Sequence, residues 1–147
     1  MSDPHPNLLP GGCHCGAVRL EFATALTPQD TAPRACDCDF CRKHGAAYVS
    51  DPTGRLRIRV ADAAGLLAYR QGSEAALFRL CARCGVLVAV TYEQDGRLYA
   101  AVNATALDRR DAFLPAVDAS PQLLSREQKI ERWTRLWVGD VAVTGSG

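Results

Sequence analysis

The sequence has no long hydrophobic run and no excess of charge of one sign. Its longest purely aliphatic stretch, residues 86–90, is far shorter than the roughly 20 residues of a membrane-spanning helix. The 17 lysines and arginines nearly balance the 16 aspartates and glutamates, so the formal charge is +1, which argues against a general nucleic-acid or anionic-membrane surface. Residues 1–6 contain neither the basic region nor the apolar core of a secretory signal. We therefore expect a soluble, cytoplasmic protein with no membrane partner, for which nucleic acid is a disfavoured ligand.

The length and the composition suit one globular domain. A chain of 147 residues, of which 48% are apolar and 22% charged, can bury enough surface to fold without disulfides. Residues 1–10 hold three prolines and predict a loose N-terminal lead-in. We expect a single domain over residues 11–147.

Cysteine is the unusual residue of this chain, because there are seven and none stands alone. Free cysteines that only fill a core would be scattered along apolar faces. A disulfide framework is disfavoured because the count is odd and C-x-C closes a strained ring. In a reducing compartment, clustered cysteines indicate metal binding or catalysis. The seven form three motifs: Cys13-x-Cys15, Cys36-x-Cys38-x-x-Cys41 and Cys81-x-x-Cys84.

The two cysteine pairs that precede a glycine predict one closed zinc site. A structural zinc takes four ligands, usually two from each of two short motifs. Glycine permits a tight turn that aims backbone N–H groups at the thiolates, and each pair has a glycine at the next position. We therefore expect one structural zinc, which would pin an early strand to a later hairpin, on Cys13, Cys15, Cys81 and Cys84.

The remaining motif supplies three cysteines, which are too few to close a tetrahedron. Three protein ligands with one open position are typical of a catalytic zinc, so Cys36, Cys38 and Cys41 predict a second, open site. His44 lies three residues beyond Cys41 and offers an alternative fourth ligand, which would make this site closed and structural. In a third interpretation, the His44 ring does not bind the metal and is either exposed to solvent or hydrogen-bonded to a ligand. Spacing alone favours the open site.

Alternating apolar and charged residues predict a mainly β architecture. Short strands are predicted at residues 17–22, 56–60, 66–69 and 76–80. Residues 86–92 and 98–102 predict a hairpin, since a turn signal lies between them at residues 94–96. Strands at this spacing favour antiparallel sheets.

One helix is predicted near the C-terminus, over about residues 125–137. Ser125 and Gln128 match a capping box, in which each side chain accepts a backbone N–H of the other residue. Four apolar side chains follow on one face at helical spacing: Ile130, Trp133, Leu136 and Trp137. We expect this stripe to pack against the sheet rather than to form a partner surface.

The cysteine motifs resemble those of the glutathione-dependent formaldehyde-activating enzyme family, which also includes centromere protein V. The resemblance covers about residues 11–107 and rests on GGCHCGAVR at 11–19, CDCDFCRK at 36–43 and CARCG at 81–85. It implies an Mss4-like fold of antiparallel β-sheets stapled by zinc, with two zinc ions per chain. By matching position, it also implies a structural zinc on the first and third motifs and a catalytic zinc on the second. The tail from Pro115 onward departs from the usual family ending, so it is a candidate for reshaping the substrate pocket.

An open site with three cysteines suits a substrate that is itself a thiol. Three thiolates and Zn²⁺ sum to a charge of −1, and a metal-bound thiol is deprotonated at neutral pH, which provides a nucleophile. We predict a zinc-dependent carbon–sulfur lyase that acts on a thiol adduct; the resemblance implies glutathione as the thiol and S-(hydroxymethyl)glutathione as the adduct. Arg42 and Lys43 beside the motif are candidates to offset the charge of a bound thiolate.

The alternative is a non-catalytic zinc module that binds a protein or a nucleic acid, as the centromere branch of the family suggests. The near-neutral charge and the lack of a basic extension count against nucleic acid. A free coordination position distinguishes the enzyme from the module, so the surroundings of Cys36, Cys38 and Cys41 decide between the two hypotheses.

Overall fold

The computed structural model describes residues 5–145, and its elements are mainly β-strands, as the sequence predicts. Two α-helices lie among the strands, α1 (Asp39–His44) and α2 (Arg126–Leu136), and neither is long and apolar enough to cross a membrane. The strands of the described part are β1 (Asn7–Gly12), β2 (Val18–Thr24), β3 (Arg34–Cys36), β4 (Ala47–Val49), β5 (Arg55–Val60), β6 (Leu66–Tyr69), β7 (Leu77–Cys81), β8 (Leu87–Gln94), β9 (Arg97–Asn103), β10 (Val117–Ala119) and β11 (Asp140–Gly145).

The smaller of two sheets has four strands in the order β1-β2-β5-β11. Its central strands show the predicted alternation: Val18, Leu20 and Phe22 of β2 are buried, and every second residue of β5 is buried too. Successive side chains of a strand point to opposite faces, so this sheet presents one apolar face to the rest of the protein.

Residues 7–10 belong to strand β1, whereas the sequence predicted a loose N-terminal lead-in over residues 1–10. This strand pairs with β2 along its whole length, and the Leu9 side chain is fully buried. Pro10 argued against a strand because proline has no N–H to donate, but an edge strand tolerates it, and β1 lies at the edge of its sheet. The prediction was wrong for residues 7–10, and residues 1–4 lie outside the described residues.

The larger sheet has seven strands in the order β10-β3-β4-β9-β8-β7-β6. The predicted hairpin is confirmed near its centre, where β8 and β9 pair antiparallel and Gln94 lies opposite Arg97. Asp95 and Gly96 form the turn with φ angles of 54° and 79°, because a two-residue hairpin turn with positive φ matches the twist of the strands. The flanking strands β3 and β4 have three residues each. A segment this short does not show the alternation from which a strand is predicted.

The central strands of the larger sheet are buried on both faces. On β9, Ala100 and Val102 pack with residues of the smaller sheet, whereas Ala101 between them belongs to a second apolar cluster that includes Trp133 of α2 and Cys41. A sheet covered on both sides has nearly continuous apolar strands, which explains the aliphatic run at residues 86–90. The second cluster places the Cys36–Cys41 motif on the face that α2 covers.

The last part of the chain connects the two sheets. β10 pairs in parallel with β3 at one edge of the larger sheet, and β11 pairs in parallel with β5 at one edge of the smaller sheet. Helix α2 lies between them in sequence, and the fully buried Val138 then bridges to Ala100 of β9. The antiparallel expectation holds for the other strand pairs of the described residues, and both parallel pairs come from this tail, where no strand was predicted.

Helix α2 forms where the capping box predicts it. The Ser125 Oγ accepts the N–H of Gln128 at 3.1 Å, and the Gln128 Oε1 accepts the N–H of Ser125 at 2.8 Å. These bonds satisfy N–H groups that the first turn of a helix leaves without partners. The C-terminal helix of the predicted fold is therefore confirmed.

Candidate metal centres and ligand cavity

Four cysteine sulfurs from both sheets meet in one cluster, as the sequence predicts. All four Sγ atoms lie within 4.8 Å of one another, and the Cys15 Sγ is 3.6 Å from both the Cys13 Sγ and the Cys81 Sγ. Sulfurs that bind one tetrahedral zinc at about 2.3 Å lie about 3.8 Å apart. The spacing therefore fits a zinc ion, and this four-cysteine cluster consists of Cys13, Cys15, Cys81 and Cys84.

Backbone N–H groups point at these sulfurs. The N–H of Val18 donates to the Cys13 Sγ at 3.2 Å, and the N–H of Cys84 donates to the Cys81 Sγ at 3.4 Å. Gly85 permits the second turn because its φ is 81°. Desolvation opposes ionisation of Cys84, but backbone N–H groups outweigh it and lower the pKa of this thiol to about 6. The backbone thus stabilises the thiolate of Cys84, which is the form that binds zinc. At Cys15 a backbone N–H is outweighed by desolvation and by the neighbouring thiols, which together raise the pKa of this thiol to about 11.

The four-cysteine cluster joins the two sheets. Cys13 follows β1 and Cys15 precedes β2, whereas Cys81 ends β7 and Cys84 precedes β8. The Cys81 side chain is fully buried within the apolar cluster between the sheets. A metal held here would bind elements that are far apart in the sequence.

The other three cysteines form a second cluster on the far face of the larger sheet. Cys36 ends β3, Cys38 is the residue before α1, and Cys41 lies inside α1. Their Sγ atoms are within 4.8 Å of one another, and the Cys38 Sγ accepts the N–H of Cys41 at 3.4 Å. The three-cysteine cluster is therefore built by one strand end and one short helix.

Cys36 and Cys41 share a hydrogen bond between their thiols. The hydrogen bond from Cys41 lowers the pKa of Cys36 to about 6, and the same bond raises the pKa of Cys41 well above its usual range. Three adjacent thiolates repel one another unless a cation neutralises them. The donor set therefore fits a soft-ligand cation such as zinc.

Tyr48 of β4 contacts this cluster, although sequence reasoning did not select it. Its hydroxyl lies 3.2 Å from the Cys41 Sγ, and the side chain is buried. Burial raises the pKa of Tyr48 far above its usual range, so the hydroxyl keeps its proton and is a hydrogen-bond donor to Cys41 whenever that sulfur is a thiolate.

His44 is not part of the three-cysteine cluster. Its ring is exposed and packs against the Phe40 ring, with the two ring centroids 4.6 Å apart, and no nitrogen of the ring joins the group of mutually close ligand atoms. The structure thus leaves His44 beside the cluster rather than in the position of a fourth ligand.

The three-cysteine cluster opens onto a cavity of about 610 Å³. A volume of about 300–1,000 Å³ is typical of small-molecule sites. Cys36, Cys38 and Cys41 lie in its wall, Phe78 and Ala101 of the larger sheet line it as well, and Gln71 approaches from the loop after β6. The four-cysteine cluster does not line this cavity.

Three cationic side chains line the cavity, and none of them is Arg42 or Lys43. Those two are exposed, and Lys43 pairs with Asp39 at 3.7 Å. Instead the cavity is lined by Arg34 of β3 and by Lys129 and Arg132 of α2. Sequence reasoning did not select them, because Arg34 lies outside the predicted strands and the other two lie on a helix expected only to pack against the sheet.

The positive charges of Arg34 and Arg132 interact with each other. Burial, together with the charge of Arg132, lowers the pKa of Arg34 below its usual range. Arg34 donates to the Ser50 Oγ at 3.0 Å. Within residues 5–145, neither guanidinium lies within 4.0 Å of a carboxylate oxygen, although the exposed carboxylates of Asp39 and Asp118 also line the cavity.

The aromatic stripe of α2 both packs on the sheet and lines the cavity. Trp133 is buried against Tyr92 of β8, with ring centroids 5.3 Å apart, and stacks on Trp137 at 4.9 Å. Both indoles are part of the cavity wall. The expectation of packing is confirmed, and the role in the wall is an addition to it.

Asp37 links the motif to the tail. Its Oδ2 accepts the hydroxyl of Ser120 at 2.6 Å, and its backbone N–H donates to the carbonyl of Ala119 at 2.9 Å. The residue between Cys36 and Cys38 thus fixes the end of β10 beside the cluster.

Two comparisons relate this chain to known proteins. The family model of the glutathione-dependent formaldehyde-activating enzymes matches residues 8–120. A crystal structure of a Rhodobacter sphaeroides protein from a structural genomics programme is similar to this chain, with 30% sequence identity and a TM-score of 0.54. That similarity covers 74% of this chain and 99% of the other. Helix α2 and strand β11 lie beyond the end of the family match.

Proposed function

The chain belongs to the glutathione-dependent formaldehyde-activating enzyme family, and from this premise we propose that it is a zinc-dependent carbon–sulfur lyase acting on a glutathione adduct. We propose a structural zinc on the four-cysteine cluster and a catalytic zinc on the three-cysteine cluster. The observation that carries the proposal is that the three-cysteine cluster lies in the wall of a cavity of about 610 Å³, whereas the four-cysteine cluster does not.

The chemistry joins a thiol to a carbonyl compound. Cys36, Cys38 and Cys41 would hold the zinc ion, and the ion would supply a free ligand position at which a substrate thiol is deprotonated at neutral pH. The glutathione sulfur attacks the carbonyl carbon of formaldehyde, so a C–S bond forms and the carbonyl π electrons move to oxygen. The alkoxide takes a proton from water, which balances the proton lost by the thiol and gives S-(hydroxymethyl)glutathione. The reverse reaction breaks the same C–S bond.

Residues of this chain prepare the cavity for that chemistry. The Tyr48 hydroxyl donates to the Cys41 Sγ and so fixes the position of this sulfur. Phe78 and Ala101 give the cavity an apolar wall, which limits competing attack by water. Arg34 and Arg132 supply the positive charge that a glutathione carboxylate needs.

The proposal is tested by the proton balance of thiol binding. A free thiol has a pKa near about 8.5 and is mostly protonated at pH 7, whereas a zinc-bound thiol is deprotonated. Calorimetry of glutathione binding in two buffers of different ionisation enthalpy should show the release of about one proton. S-methylglutathione, which has no thiol proton, is the control and should release none.

The His44→Ala variant separates the enzyme from the non-catalytic module. Because the His44 ring packs on Phe40 outside the cluster, we expect this variant to bind glutathione with the same proton release as the wild type. Wild-type protein that binds no thiol, together with a His44→Ala variant that does, would contradict the proposal. An exchange NMR experiment with ¹³C-formaldehyde then measures C–S bond formation, with Cys38→Ala as the inactive control.

A further inference from the structure

We infer that the C-terminal segment 121–137, beyond the family match, makes this site selective for glutathione adducts that carry an apolar substituent on the adduct carbon. In this assignment, Arg132 acts with Arg34 on a carboxylate of the thiol, and the indole of Trp137 contacts the substituent. The inference rests on the proposed function, because it names the adduct that the same cavity takes.

The segment is held firmly over the cavity. At its start, Asp37 bonds to Ser120 and Ala119 at the end of β10. At its end, Val138 is fully buried and exchanges two backbone hydrogen bonds with Ala100, at 2.8 and 3.1 Å. Because both ends are anchored to the larger sheet, the side chains of α2 that line the cavity are part of a fixed wall.

The positive charge in this wall has no carboxylate partner in the described residues. Neither Arg34 nor Arg132 has an ion pair within 4.0 Å among residues 5–145. Both side chains line the cavity, and both are half-buried. Guanidinium groups in one cavity wall are preferred partners of a carboxylate, which they bind through several N–H donors.

The same wall carries a large apolar surface. Trp133 stacks on Trp137 at 4.9 Å, and the outer of the two, Trp137, is half-buried beside the cavity. A water-exposed indole gains free energy when an apolar group covers it. The single CH₂ of a formaldehyde adduct is too small to cover this surface, whereas an alkyl or aryl group is not.

The wall therefore matches an adduct with two features, a carboxylate on the thiol and an apolar substituent on the carbon bound to sulfur. Such an adduct forms from glutathione and an apolar aldehyde, through the same C–S bond and the same proton transfers as with formaldehyde. S-alkylglutathiones are stable thioethers that present both features without needing a free thiol.

The test compares the dissociation constants of S-hexylglutathione and S-methylglutathione by calorimetry. Wild-type protein should bind the hexyl compound at least about tenfold more tightly, since the longer chain buries more apolar surface. Trp137→Ala should reduce this ratio to near one, and Trp137→Phe should keep most of it because the phenyl ring retains an apolar face. Thermal unfolding checks that each variant is folded.

Matched arginine variants test the carboxylate contact. Arg132→Gln should weaken both compounds by about tenfold and leave their ratio unchanged. Arg135→Gln is the control, because Arg135 lies on the same helix, pairs with Glu131 at 3.0 Å and does not line the cavity. It should change neither constant.

Three results overturn the inference. Equal affinity of the wild type for the two compounds, or no binding of either compound, shows that the wall does not select an apolar substituent. Equal losses in Arg132→Gln and Arg135→Gln show that Arg132 has no specific contact. Proton-linked binding of glutathione itself is a separate measurement, which tests the proposed function independently of these three results.

Discussion

Tyr48 and Cys41 illustrate how much of this site depends on single atoms. The hydroxyl lies 3.2 Å from the sulfur in a buried position, and groups that hydrogen-bond a metal ligand commonly change metal affinity by about 10–100-fold. Tyr48→Phe keeps the apolar ring and removes only the donor. We expect the variant to fold and to hold zinc at the three-cysteine cluster about tenfold more weakly, as measured by competition with a chelator.

Tyr92→Phe is the matched control for that measurement. Its hydroxyl bonds to the Gln94 side chain at an exposed position and touches no cysteine. Zinc affinity should stay at the wild-type value in this variant. Unchanged affinity in Tyr48→Phe as well would show that the contact with Cys41 does not stabilise the bound ion.

Single residues also mark the limit of reasoning from the sequence. The cysteine motifs could be assigned because each ligand set is local and has a recognisable spacing. Tyr48 and Arg132 could not, because strand pairing brings Tyr48 to the cluster and helix packing brings Arg132 to the cavity. Arg34 is close to Cys36 in sequence, but no local pattern indicates that its side chain lines the cavity. Arg42 and Lys43 are neighbours of Cys41 in sequence, yet both side chains point into solvent.

The two cysteine clusters are built on different elements. We therefore expect substitutions in the two clusters to have different effects on folding stability. Cys81 is fully buried where β7 meets the turn into β8, and its cluster ties these strands to β1 and β2. Metal binding at such a site is also folding free energy, about 10 kcal/mol or more in small zinc domains. We expect Cys81→Ala to be insoluble or strongly destabilised.

Cys38→Ala should behave otherwise, because its cluster lies on one strand end and one short helix. We expect a folded protein that has lost one zinc ion, which elemental analysis and thermal unfolding measure together. An equal loss of thermal stability in both variants would contradict the division into a structural and a catalytic site.

The elements were predictable where a local signal specifies them. The capping box located α2, and Asp95-Gly96 located the hairpin, because each acts through the nearest backbone groups. β1 escaped prediction because Pro10 is tolerated only at an edge, and edge position is a property of the sheet. β10 and β11 pair in parallel with strands that are distant in sequence, so no local pattern predicts them.

The whole molecule is organised around the larger sheet, which has a different neighbour on each face. One face packs on the smaller sheet, beside the four-cysteine cluster, and the other carries the three-cysteine cluster under α2. The first cluster offers four sulfurs to a metal, and the second offers three beside a cavity. The C-terminal tail that covers the second face lies partly beyond the family match. We assign the substrate selectivity of the cavity to that part of the tail.

The central claim is that one of two metal sites has a free position for a substrate thiolate, and cadmium-113 NMR of the ¹¹³Cd-substituted protein tests it most directly. We predict two resonances, one for each cluster, with Cys38→Ala lacking the resonance of the three-cysteine cluster. One equivalent of glutathione should move that resonance towards the position of the four-cysteine cluster and leave the other in place. A spectrum in which glutathione moves neither resonance, or moves that of the four-cysteine cluster, would contradict the account.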